Sequence, residues 1–363
     1  MNNFNNMNNY TNYMGGYNNN NNNEYKDIPQ LKNVSWQQKS DYKVKKLDFG
    51  DKIELQVVSV VVTICDGNSY DALFESVHQK PPTGRVAVYS VAPDSLNDVY
   101  KAIKDKESDD EIIQELLKDM NSLSPDCIVF NWECCSGCSF ESFSSDITFD
   151  LVKYLLDQGT MVMFGDFSAK ALIKTWDSKK LGPNPFKKLG ETNDSIQLNF
   201  NSKSLSECPS KQLEMVGKLC ESGECVIHAL GGTIVFGVDW KNVDNDQYDL
   251  EILTIATSTL VDSENLCEIK DVKRKGTVGH AMVKYKSGGL MLVSAGHWIE
   301  LSHLNVNEDS MEKVSKEFGA LYVNEFENIK KSNVSQEMKQ QQYNAMASNW
   351  VQRNAPTNYM NFK

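Results

Sequence analysis

The spacing of apolar residues predicts strands and helices in turn along the first half of the chain. Ile53 to Cys65 alternates and then runs apolar through Val57, Val58, Val60, Val61, Val62 and Ile64, which predicts a long, partly buried strand. Arg85 to Val91 predicts a second. Ser108, with Glu111 three residues on, forms a capping-box signature ahead of a helix with Ile112, Ile113, Leu116, Leu117 and Met120 on one face. Asp126 to Trp132 predicts a third strand. Ser145 then caps a helix carrying Ile147, Phe149, Leu151, Val152, Leu155 and Leu156, Gly159 stops it, and Thr160 to Phe164 predicts the next strand. Apolar strands alternating with amphipathic helices predict a doubly wound α/β core, with a mainly parallel sheet covered on both faces by right-handed crossovers.

The second half is richer in strands, predicted at Ile196 to Phe200, Cys225 to Phe236, Leu250 to Ala256, Val278 to Tyr285 and Leu290 to Ala295. Ser287-Gly288-Gly289 predicts a hairpin that extends the fold with an antiparallel pair. Gly231-Gly232 predicts another, between Cys225 to Leu230 and Thr233 to Phe236. Val314, Phe318, Leu321, Tyr322, Phe326 and Ile329 recur at three- and four-residue steps and predict a final amphipathic helix. The ends differ in kind. The first 23 residues hold thirteen Asn and no charge, too little apolar surface to offset ordering entropy, so a disordered arm and linker is expected over 1–50, an α/β body over 51–330 and a Gln/Asn-rich tail over 331–363. Within that tail Tyr343, Met346 and Trp350 are at helical spacing, compatible with a short docked helix.

Charge and composition narrow the function classes. A net charge of −12 argues against whole-chain binding to nucleic acid or to an anionic membrane surface. No apolar run is long enough to span a bilayer, and the start lacks the pattern of a secretory signal, so a cytoplasmic protein is expected, with protein partners or self-association through its low-complexity ends. Nine cysteines, an odd number, then read mostly as buried thiols. The basic run Lys270 to Gly276 reads as a solvated loop.

In doubly wound folds ligands bind beyond the carboxyl ends of the strands, so residues just after each strand are the candidates for chemistry. The turn G-D-F-S-A, Gly165 to Ala169, has the small-residue setting of a nucleophile elbow, but its central residue is Phe167, which cannot be a nucleophile. Ser168 as nucleophile, or ligand contact through the backbone around Gly165 and Asp166, stand as alternatives to a plain structural turn. His297 and Glu300, after the last predicted strand, have the composition of a base and the carboxylate that orients it. The loop E-C-C-S-G-C places Cys134, Cys135 and Cys138 together; no second paired knuckle accompanies it, so no metal site is expected, and Cys138 or Cys135 becomes a nucleophile only if the loop folds over the turn. No cofactor is expected.

The segment from Leu151 to Ala169, together with G-H-W-I-E at Gly296 to Glu300, resembles the class I glutamine amidotransferase-like superfamily, which includes trehalose-utilisation-type and biotin-ligase-associated members. The resemblance, over roughly Arg85 to Leu301, implies a flavodoxin/amidotransferase-like sheet. In that family a Cys at the centre of the turn works with a His closely followed by Glu. His297 and Glu300 stand at the latter pair, with two residues between them where the family has one, and Phe167 stands at the Cys, a pseudo-nucleophile position. Two functions follow as expectations: a non-catalytic binding or assembly protein on this scaffold or, alternatively, an amidase or hydrolase using Ser168 or a Cys of the 134–138 loop with His297 as base.

Overall fold

The computed structural model describes residues 44–47, 57–64, 85–134, 146–192, 196–200, 211–219, 225–227, 233–256, 266–269, 274–296, 301–304 and 306–353. Strands β1 (Val44–Leu47), β2 (Val57–Ile64) and β3 (Arg85–Val91) precede helices α1 (Leu96–Asp105) and α2 (Glu111–Asn121). Next come β4 (Ile128–Cys134), α3 (Asp146–Asp157), β5 (Met161–Gly165), α4 (Asp166–Thr175) and the short α5 (Ser178–Leu181). β2 lies between β3 and β4, parallel to both, and β4 is parallel to β5, so the strands expected at Arg85, Asp126 and Thr160 share one sheet and one direction. Val60 stands level with Ala87 and Ile128, and Val62 with Tyr89 and Phe130, on one fully apolar face. The same core takes Val99 and Ile103 of α1, Ile113, Leu116 and Leu117 of α2, and Leu151, Val152 and Leu155 of α3. Each such side chain contributes about 1.5–3 kcal/mol by leaving water.

Two local expectations in this half are corrected. α1, with its stripe Leu96, Val99, Ala102 and Ile103, was not anticipated. The cap of α2 is Asp110 in place of Ser108: its carboxylate accepts from the Ile112 and Ile113 amides at 2.9 and 3.1 Å, while Ser108 Oγ accepts from the Asp110 amide one step earlier. A carboxylate satisfies the free amides and also suits the positive end of the helix dipole. Ser145 lies outside the described residues; Gly159, at φ +78°, ends α3 as expected.

The second half supplies β6 (Phe186–Thr192), β7 (Ile196–Phe200), α6 (Lys211–Leu219), β8 (Cys225–Ile227), β9 (Thr233–Val238) and α7 (Trp240–Val243). β10 (Tyr248–Ala256), β11 (Cys267–Ile269), β12 (Arg274–Tyr285), β13 (Leu290–Ser294) and β14 (Leu301–Leu304) follow. The main sheet runs β1-β3-β2-β4-β5-β13-β12-β10-β7-β8-β14, with β11 paired to β12; β6 and β9 form a separate antiparallel pair. It is mixed: parallel from β3 to β13, antiparallel at β1 and from β13 onward. The β12–β13 hairpin turns at Gly288, φ +96°, as its Ser-Gly-Gly sequence requires.

Gly231 and Gly232 lie outside the described residues, and among the described residues β8 and β9 do not pair with each other. β8 pairs with β7 and β14 in the main sheet, and β9 with β6 in the small one, so long-range partners override the local turn signal. The basic run expected as a loop ends inside β12, which starts at Arg274 and pairs there with β11. β1, inside the range expected as linker, pairs antiparallel with β3.

The helix expected from Val314 to Ile329 is in fact two, α8 (Glu308–Phe318) and α9 (Ala320–Lys330), and the helical spacing of Tyr343, Met346 and Trp350 belongs to α10 (Gln336–Arg353), a longer docked helix. Gly319, at φ +106°, breaks the apolar spacing that reads as continuous from Val314 to Ile329. α10 lies in the range expected as tail, and its Tyr343, Ala347, Trp350 and Val351 are buried against the rest of the core.

Where β5 and β13 begin, the chain segment Leu181 to Pro185 is held by its carbonyls. Tyr285 Oη donates to the Leu181 carbonyl at 3.1 Å and Trp176 Nε1 to Gly182 at 2.8 Å. Tyr248 Oη donates to Pro183, Asn242 Nδ2 to Asn184 at 2.9 Å, and the Asp239 amide to Pro185 at 2.8 Å. Five consecutive acceptors are thus satisfied by side chains and backbone from α7, β10, β12 and the flanks of α4 and β9.

Candidate functional site at the carboxyl ends of the parallel strands

The strand order reverses at β2, which the chain leaves toward β3 on one side before crossing to β4 on the other. A crevice beyond the ends of β2 and β4 is where doubly wound sheets take ligands. Ile64 and Cys134 are the last residues of those strands. Cys135, Cys138, His297 and Glu300 lie outside the described residues.

The G-D-F-S-A turn is described through its backbone. Gly165 is extended, at φ −130° and ψ 153°, and α4 starts directly at Asp166. Phe167 is therefore the second residue of a regular helix. A nucleophile elbow lifts its central side chain by a strained backbone, and among the described residues the one non-glycine with positive φ is Lys106, far from this turn. Ser168, in the first turn of α4, is buried; its Oγ donates to the Gly165 carbonyl at 3.1 Å and to that of Trp132 at a still closer approach. Both neighbours of the hydroxyl are backbone carbonyls, neither of which can abstract its proton. The bond to Trp132 pins α4 onto β4, where the Trp132 indole stacks on Phe164 with ring centres 5.1 Å apart.

A row of polar residues crosses the sheet at the same level. Thr254 on β10 pairs with His280 on β12, His280 with Ser294 on β13, Ser294 with Gly165 on β5, and Gly165 with Glu133 on β4. Directly paired residues project to one face, so Thr254, His280 and Ser294 stand side by side. All three are buried. His280 Nδ1 and Thr254 Oγ1 share a hydrogen bond of 2.8 Å, and β10 is bulged on either side of Thr254. Burial pushes the His280 imidazole down to about 3, so it is neutral at pH 7. Ser294 Oγ accepts from the Gly296 amide at 3.3 Å. Below the row the same face is apolar: Val129, Met161, Met163, Leu253, Met282 and Leu292 form a core cluster of their own.

Four of the expected site residues, Gly165, Asp166, Phe167 and Ser168, thus sit at one junction of β5 and α4, next to the strand that carries Ser294. Thr254, His280 and Ser294 were missed as a group. A signal existed: His280 stands alone among apolar residues in V-G-H-A-M-V, and a polar residue inside a buried strand needs a partner. The reading favoured His297 because it follows a strand. Among the described residues no three His, Cys, Asp or Glu side chains are grouped to hold a metal ion, and no described helix is long and apolar enough to cross a membrane. An open groove of about 480 Å³, lined by Asp146, Phe149, Trp176 and Asp177 among others, lies between α3 and the α4–α5 junction. No protein-family model matches the chain, and no curated protein matches it.

Proposed function

We propose that this chain is a non-catalytic binding or assembly protein of the cytoplasm, built on an amidotransferase-like scaffold, with protein partners and no cofactor. The observation that carries the reading is Ser168. Its hydroxyl serves as a structural pin between α4 and β4, on a turn whose helical backbone has none of the strain of an elbow. The turn that does chemistry in the resembled family here joins two elements, and Phe167 occupies its centre. The neutral His280, already bonded to Thr254, fits a buried structural row in the same way.

Purified protein assayed for glutaminase and esterase activity should show none, and Ser168→Ala should lower stability by about 1 kcal/mol, the worth of one buried hydrogen bond. Hydrolysis that disappears in His297→Ala and also in Ser168→Ala or Cys138→Ala would replace this reading with the hydrolase, because paired losses mark a base and nucleophile acting as one unit.

A further inference from the structure

We draw no further inference here: the strongest candidate, the open groove between α3 and the α4–α5 junction lined by Asp146, Phe149, Trp176 and Asp177, has its carboxylates already shared by the Lys180 ammonium, and nothing in the structure shows what covers it.

Discussion

The two ends of the main sheet treat polar groups in opposite ways. Where β5 and β13 begin, polar atoms are backbone carbonyls, and the five from Leu181 to Pro185 each receive a donor from a distant part of the chain. Where the same strands finish, polar atoms are side chains: Thr254 bonds His280, Ser168 bonds the Trp132 and Gly165 carbonyls, and Ser294 takes the Gly296 amide. The first arrangement fixes chain path and offers nothing that titrates in the physiological range. The second gathers a neutral imidazole and three hydroxyls, all buried, across β10, β12, β13 and the start of α4. One end of the sheet thus satisfies backbone acceptors and the other satisfies buried side chains.

The sharpest test at the first end is Gly289→Ala. A Cβ there would lie 2.3 Å from the Leu156 carbonyl oxygen and 2.5 Å from the Leu156 Cα, so backbone must move. Denaturant unfolding should show a loss of about 3 kcal/mol. Next in size comes the acid response of the other end. His280 is neutral when folded, with its imidazole held down at about 3 against the usual 6.5, so the unfolded chain binds the extra proton between those values. Its contribution is present in full above pH 6.5 and is lost as pH falls toward 3. His280→Gln should therefore flatten the fall in stability between pH 7 and pH 4, and an unchanged acid limb would show that the row titrates elsewhere. The smallest effect is Tyr248→Phe, which strips the Pro183 carbonyl of its buried donor and should cost about 1–2 kcal/mol at neutral pH. Burial holds the Tyr248 phenol up at about 12, against the usual 10, so its contribution is constant below pH 10 and is lost as pH rises toward 12. The Phe variant should lack that part of the alkaline loss in urea titrations.

The contrast between the ends also accounts for what could be read in the sequence. β3, β4 and β5 were legible because each is an apolar run with a stop signal beside it, and Gly159 and Gly288 because positive φ selects glycine. β8 and β9 were misread because a Gly-Gly pair is a local cue, whereas the partners β7, β14 and β6 lie elsewhere in the chain. The same cause hid the break at Gly319, whose neighbours continue the apolar spacing without interruption. At the candidate site, Gly165, Asp166 and Ser168 were found through the strand-to-helix turn, but the expectation of an elbow failed, since small residues permit strain without imposing it. His280, Thr254 and Ser294 came together only through register across three strands, a quantity no single segment contains.

The clamp on Leu181 to Pro185 has a consequence for how the molecule assembles. Its acceptors belong to a segment just after the parallel half, while most of its donors sit on α7, β10 and β12, some 50 to 100 residues further along the chain. The bonds from Tyr285, Tyr248 and Asn242 cannot form while only the first half has condensed. The segment thus ties the chain near residue 183 to chain 58 to 104 residues further on, contacts whose loop-closure cost places them among the slower ones to form.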